Sequence, residues 1–177
     1  MKFLVGAAAA FILLSLSARA DDAKAPYLAN GYGLLYKLCN DEKPVEMILM
    51  VKTTPPEIGD FLHQVSKSAS ADLDDLNRLH DESSAVRFGD RGLPQFEIDT
   101  RNSIREDKQH MLLFGTKGNE FVRTLLVTQI EASTYGMHLA KVLADAEPNE
   151  HRAAVVRKIG ARWEKVKDRA YALLFAQ

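Results

Sequence analysis

Apolar residues recur at helical spacing through most of this chain, and no stretch shows a sustained alternation of apolar and polar positions. The clearest helix is predicted from Thr54 as N-cap to about His80, with Pro55 in the first turn and Glu57 completing a capping box. A last helix is predicted after Asn149 as its cap. The apolar positions of these two helices are Ile58, Phe61, Leu62, Val65, Ala69, Leu73, Leu76 and Leu79, then Val155, Val156, Ile159, Trp163, Val166, Ala170, Leu173 and Leu174.

Two further helical regions are interrupted. Pro44 should kink or split a first helix over about residues 27–52, because proline lacks a backbone donor and clashes with the preceding turn. The apolar face of this helix comprises Leu34, Leu38, Val45, Ile48 and Leu49. In a region over about residues 96–146, Gly115 and Gly118 mark a break between a charged, weakly patterned segment and a clear apolar stripe.

Four amphipathic helices of this length predict an all-α fold, a four-helix bundle with an extra helical segment before the third helix. The bundle domain is predicted over residues 27–177. Residues 81–117 are long enough for a ferritin-like crossover, so both that connection and simple up-down-up-down hairpins fit the pattern.

The first twenty residues have the features of a secretory signal peptide. A positively charged start precedes an apolar run over residues 3–16, and a small-x-small pattern at residues 18–20 precedes two aspartates. We expect cleavage between Ala20 and Asp21, a polar tail over residues 21–26, and a periplasmic or secreted mature protein. No later apolar run approaches the roughly 20 residues that a transmembrane helix needs.

Composition excludes several classes of function. The 23 basic and 24 acidic residues give a net charge of -1, without the basic excess typical of a nucleic-acid-binding protein. Cys39 is the only cysteine, so an intramolecular disulfide, a c-type haem site and a cysteine-based zinc site are all excluded. Cys39 is either a small buried core residue or forms an intermolecular disulfide.

Five polar residues fall on the predicted apolar stripes and define an inner polar cluster, a possible binding site: Glu42, Lys52, Asp72, His80 and Gln129. Because a buried charge is costly unless it is paired, we predict that Lys52 pairs with Asp72 or Glu42 and that Gln129 bonds into the same group. Two alternatives are that these side chains reach solvent at helix ends, or that they bind a ligand or metal.

Two segments resemble the ferritin-like superfamily and the ferritin-like exported domains of unknown function found in bacteria. They read LLYKLCNDEK at residues 34–43 and LVTQIEASTYG at residues 126–136, and the resemblance extends over most of residues 27–175. It implies a bundle whose core carboxylates and histidines hold two metal ions. This chain nevertheless contains no Glu-x-x-His, the motif that supplies paired ligands in that family. Its nearest substitute, Glu131 with His138, spans about 10.5 Å along a helix, too far for one ion.

The chain is therefore interpreted as a ferritin-like scaffold without the di-metal site, or as an unrelated helical bundle. The leading hypothesis is a non-enzymatic exported domain that acts through binding or structural association in the cell envelope, with an unknown protein partner or by self-association. No catalytic residue, metal site or cofactor is predicted. The alternative is a divergent ferritin-like metal-binding or redox protein, with Glu42, Asp72, His80 and Glu131 as its candidate ligands.

Overall fold

The computed structural model describes residues 26–88 and 93–176, and within them the chain is helical and contains no strand. The elements are α1 (residues 26–42), a 3₁₀ helix (Val45–Met50), α2 (Pro56–Glu82), α3 (Gln95–His110), one π-helical turn (Met111–Gly115), α4 (Gly118–Ala146) and α5 (Glu150–Phe175). The all-α bundle is confirmed. The predicted signal peptide lies outside the described residues, as does the polar tail as far as residue 25, whereas Pro26 is already helical.

The helix breaks lie at the predicted proline and glycines. Pro44 separates α1 from the 3₁₀ helix, and Gly118 opens α4 with a φ of 55°, a value that favours glycine. Asn149 caps α5 by accepting a hydrogen bond from the Arg152 backbone N–H. These three boundaries follow from local backbone chemistry alone.

The capping box predicted at the start of α2 is wrong. The helix begins at Pro56, the residue before it is Pro55, and no side chain caps it. Two consecutive prolines remove two of the backbone N–H groups that a cap would satisfy, so Thr54 and Glu57 have less to contribute there.

α1 and α4 pack in antiparallel directions. Near the start of α1, Tyr32 Oη donates to Glu147 Oε2 at 2.7 Å, just beyond the end of α4. At the end of α1, Glu42 accepts a hydrogen bond at 2.9 Å from Gln129 in the middle of α4.

α1 is antiparallel to α2 as well. The Cys39 thiol contacts Asp72, and Ser66 donates to the backbone carbonyl of Lys43, so later residues of α1 meet earlier residues of α2. Because α2 and α4 both oppose α1, they point the same way. The connection between them, which contains α3, therefore crosses the bundle from one end to the other.

α5 completes the bundle between α2 and α4. Arg162 contacts Asp72, and Arg152 donates to Ser83 at the far end of α2, which makes these two helices antiparallel. α4 and α5 form a hairpin across the turn at residues 147–149, and they pack closely along their length.

The core is formed by one face of each long helix. On α1 the buried residues recur every three or four positions, as a helix packed on one side requires: Leu28, Tyr32, Leu35 and Cys39. Trp163 of α5 is the largest fully buried side chain, at 1% exposure. The apolar face that the sequence predicted for α1, represented by Leu34 and Leu38, is only partly buried because it points toward α3.

Gly136 allows α1, α4 and α5 to meet at one level of the core. A Cβ atom at this position would lie 2.7 Å from Leu38 Cδ2 and 3.0 Å from the Trp163 ring. Real Cβ atoms do not approach that closely, so the absence of a side chain is what permits this packing.

We predict that Gly136→Ala lowers the free energy of unfolding by about 1–3 kcal/mol, because the methyl group would force Leu38 or Trp163 out of place. The matched control is Gly59→Ala on α2, where the nearest atom to the new methyl is Thr54 Oγ1 at 4.0 Å. There the substitution should stabilise the helix by about 0.5–1 kcal/mol. Urea unfolding followed by circular dichroism measures both, and equal effects of the two substitutions would contradict the packing argument.

Candidate functional site

A cavity of about 1020 Å³ lies between α1, the 3₁₀ helix, α3 and α4. The cavity is large because α3 does not pack into the bundle. None of the sixteen residues of Gln95–His110 is buried. The other four α-helices each contribute a buried face.

The wall formed by α1 and the 3₁₀ helix carries a row of apolar side chains beside the polar ones of α1. The row consists of the face that the sequence marks as a core stripe, including Leu34, Leu38, Val45 and Ile48, all of which are half-buried. Ala132 contributes to the α4 side of the cavity. The apolar stripe of the first helical region therefore lines a cavity instead of entering the closed core.

The wall formed by α3 carries three cations together with the apolar side chains of Ile98 and Ile104. Arg101, Arg105 and Lys108 are spaced four and three residues apart, which places them on one face of the helix, and all three line the cavity. Taking a cation out of water costs several kcal/mol, so this face cannot be pressed against an apolar surface. The charge on α3 explains why the helix stands away from α1 and α4.

Charged and polar contacts hold α3 at that separation. Arg105 Nη1 lies 3.7 Å from Asp41 Oδ2 of α1, and Lys108 pairs with Glu131 of α4. Arg101 Nη1 donates to Tyr135 Oη at 3.3 Å. These contacts connect the long side chains at their tips, and the space between the helices remains open.

Glu42 and Gln129 form a hydrogen-bonded pair that also lines the cavity. Gln129 Nε2 donates to Glu42 Oε2 at 2.9 Å, so these two of the five residues of the expected inner polar cluster are in contact, without Lys52. Burial raises the pKa of Glu42; the Gln129 hydrogen bond lowers it, and the neighbouring charge of Asp41 raises it further. Gln129 Oε1 is buried and has no hydrogen-bond partner among the described residues.

The other three members of the predicted cluster lie elsewhere. Lys52 pairs with neither Asp72 nor Glu42, so that prediction is wrong: its Nζ donates to the Thr116 carbonyl at 2.9 Å and lies 5.2 Å from the centre of the Phe121 ring. The 3₁₀ helix has about three residues per turn in place of 3.6, so it shifts the face on which Lys52 lies.

The prediction that His80 points into the core is wrong. The residue is exposed on the last turn of α2, where its Nδ1 donates to the Val86 carbonyl at 2.7 Å. Its ring also packs near Phe88, which stacks on Tyr36 of α1 at a centroid distance of 4.1 Å. His80 thus helps to attach the beginning of the crossover connection to the bundle.

Asp72 is buried in the core and pairs with Arg162 of α5, whose Nε donates to it. Arg162 Nη2 also donates to Asp75 Oδ2 at 2.5 Å, one turn further along α2. The Cys39 thiol lies 4.0 Å from Asp72 Oδ2, is free and is fully buried. Cys39 is therefore a core residue, since an intermolecular disulfide requires an accessible sulfur.

The two carboxylates that share Arg162 have different proton affinities. Burial raises the pKa of Asp72 to about 7, although the charge and hydrogen bond of Arg162 act in the opposite direction. Burial also acts to raise the pKa of Asp75, but hydrogen bonds from Arg162 and Arg78 outweigh it and hold the pKa below its ordinary value.

The sequence pattern did not identify Arg162 or the basic face of α3. Arg162 precedes the core residue Trp163, a position that a helical projection places at the edge of the stripe, and its long side chain reaches inward from there. The spacing of Arg101, Arg105 and Lys108 was the available indication for α3.

No group of three or more His, Cys, Asp or Glu side chains in residues 26–88 and 93–176 is placed to hold a metal ion. Glu131 pairs with Lys108, and His138 is exposed. In the same ranges no helix combines the length and the apolar character needed to cross a membrane.

No protein-family model, curated protein or solved structure matches this chain.

We compare the free energy of unfolding of the wild type with that of the Asp72→Asn variant. We predict that the wild-type value minus the variant value falls by roughly 2–4 kcal/mol between about pH 5 and about pH 8. The folded-state pKa of Asp72 is about 7 and exceeds that of an unfolded aspartate, so the folded state must give up a proton that it holds more tightly. The stability that protonation supplies is therefore lost as the pH rises through this window. Urea unfolding of both proteins at several pH values measures it.

Glu147→Gln is the control, because Glu147 makes no contact with Asp72 or Arg162 and hydrogen bonds from Arg152 and Asn149 hold its pKa below the ordinary value against burial, so its contribution changes only at more acidic pH. A wild-type minus Asp72→Asn difference that is constant with pH, or that rises with pH, would contradict the assignment.

Proposed function

We propose that this chain is an exported binding protein that holds an apolar or amphiphilic small molecule in the cavity between α1 and α3. The observation that carries the proposal is the cavity of about 1020 Å³, lined by apolar side chains of α1 and the 3₁₀ helix and by polar and charged side chains of α1, α3 and α4. Ligand sites in proteins typically have volumes of about 300–1,000 Å³ and this composition. A small molecule is thus favoured over the protein partner or self-association considered from the sequence.

The state of the candidate metal ligands favours binding over the metal or redox alternative. Glu42 accepts from Gln129, Asp72 from Arg162, and Glu131 pairs with Lys108. A carboxylate already engaged by a cation or an amide must lose that partner before it can bind a metal ion. The cavity requires no such rearrangement to admit an apolar ligand.

The ferritin-like resemblance is proposed as one of fold alone. The antiparallel contacts of α1 with α2 and α4, and the crossover that contains α3, support a ferritin-like arrangement of helices. Export is proposed on the composition of residues 1–20.

Ala132→Phe should weaken binding of the uncharged fluorescent probe N-phenyl-1-naphthylamine by about tenfold or more, because the larger ring occupies part of the cavity. The wild type should bind this probe saturably, which a fluorescence titration measures. The matched control is Val142→Phe on the same helix, where the wild-type side chain is 51% exposed and does not line the cavity. The proposal fails if the wild type shows no saturable binding, or if both variants bind alike.

The intact mass of the protein recovered from its producing cell should correspond to a chain that begins at Asp21. Cleavage after Ala20 is expected because small residues at positions 18 and 20 fit the signal-peptidase site. Ala20→Leu is the informative variant, since a bulky residue at that position should block processing and leave the full-length mass. A wild-type chain that retains residues 1–20 would refute export by this route.

A further inference from the structure

Two cations at the cavity wall share a single carboxylate oxygen. Lys37 Nζ and Arg105 Nη1 each lie 3.7 Å from Asp41 Oδ2. Charge-assisted hydrogen bonds are about 2.7–2.9 Å long, so both contacts are ion pairs at a distance that leaves the donors free to bind something else. All three side chains are about one-third exposed, and all three line the cavity.

The remaining charges around the cavity do not supply a second carboxylate to these two cations. Among the described lining residues there are four basic side chains and three acidic ones. Of the other acids, Glu131 is engaged by Lys108 and Glu42 by Gln129. Burial also raises the pKa of Glu42, which favours its neutral form. Two positive charges, of Lys37 and Arg105, therefore surround the single negative charge of Asp41.

We infer that the ligand is a single-chain amphiphile with a carboxylate head group, which lies between Lys37 and Arg105 while the alkyl chain lies along the apolar side chains of α1 and the 3₁₀ helix. This inference rests on the proposed function, because it identifies the chemical class that the same cavity accepts. A carboxylate has two oxygens, so it can accept hydrogen bonds from both cations at once.

The neighbouring residues select against other head groups. A cationic head group beside Asp41 would also lie beside Lys37 and Arg105, and these two positive charges exceed the single negative charge of Asp41 and would repel the head group. An uncharged hydroxyl group would leave the excess positive charge uncompensated. The apolar side chains that receive the alkyl chain include Leu34, Leu38, Val45 and Ile48.

The test compares three ligands that share a twelve-carbon chain: dodecanoate, dodecanol and dodecylammonium. Each is titrated, below its micelle concentration, against the full mature chain loaded with N-phenyl-1-naphthylamine, and displacement of the dye is measured. Dodecanoate should bind at least about tenfold more tightly than dodecanol, and dodecylammonium more weakly than either.

Equal binding of dodecanoate and dodecanol would overturn the head-group inference and leave the proposed function intact. Tighter binding of dodecylammonium would overturn it as well, since the acidic residues would then be the recognition site. Failure of all three ligands to displace the dye would count against the inference. Absence of saturable dye binding would refute the proposed function itself.

Variants at the shared ion pair separate recognition from folding. Arg105→Met should weaken dodecanoate binding by about tenfold while dodecanol binding changes little, and Arg105→Lys should retain most of the difference between the two ligands. The matched control is Arg157→Met on α5, which removes an arginine paired with Glu150 outside the cavity.

Asp41→Asn tests the same site in the opposite direction. It removes the negative charge that competes for Lys37 and Arg105, so dodecanoate should bind several-fold more tightly than to the wild type, with dodecanol unchanged. A structural role for Asp41 would instead weaken the binding of both ligands. Weaker or unchanged dodecanoate binding in Asp41→Asn would overturn the inference even if Arg105→Met fails to fold.

Discussion

The positive charge on the inner face of α3 is the constraint on which the shape of the molecule depends. Arg101, Arg105 and Lys108 face α1 and α4, and an unpaired cation buried there would cost several kcal/mol. The helix therefore keeps these side chains partly hydrated, between 37% and 38% exposed, and contacts the bundle through their tips. The distance that this imposes between α3 and α1 is what creates the cavity.

The chain accommodates charge differently in its closed core. Arg162 enters the bundle with two carboxylates, Asp72 and Asp75, and its long side chain fills the distance between α5 and α2. There the helices pack closely, helped by Gly136, and the ionic groups are enclosed. Arg162 is compatible with close packing because it faces two carboxylates. The three cations of α3 are distributed over separate partners, and they are not compatible with close packing.

Much of the fold could be predicted from local patterns, because helix formation is governed by apolar spacing and a few backbone rules. Pro44, Gly118 and Asn149 mark boundaries that the structure confirms. Helical projection also placed Glu42 and Gln129 on inward-facing stripes, and the two are in contact, since both side chains belong to regular helices. Helical projection could not show on which face the residues after the 3₁₀ helix lie, because that helix has a different number of residues per turn. The prediction for Lys52 is wrong for this reason.

The cavity itself could not be predicted, because an apolar stripe looks the same in sequence whether it faces a closed core or an open space. Leu34 and Leu38 satisfy helical spacing as well as Leu35 and Cys39 do, yet only the second pair is fully buried. The deciding fact is the charge on α3, which lies about seventy residues away in the chain. Arg162 was missed for a related reason, since the reach of a long side chain is not encoded in the position of its Cα atom.

α3 separates the lining of the cavity from the packing of the closed core. Because it contributes no buried side chain, its residues can change without disturbing the core that holds α1, α2, α4 and α5 together. A substitution inside the bundle must be accommodated by closely packed neighbours, whereas one on α3 changes the lining of the cavity and leaves those contacts intact. The size and charge of the cavity can therefore be altered through one peripheral helix while the rest of the fold is retained.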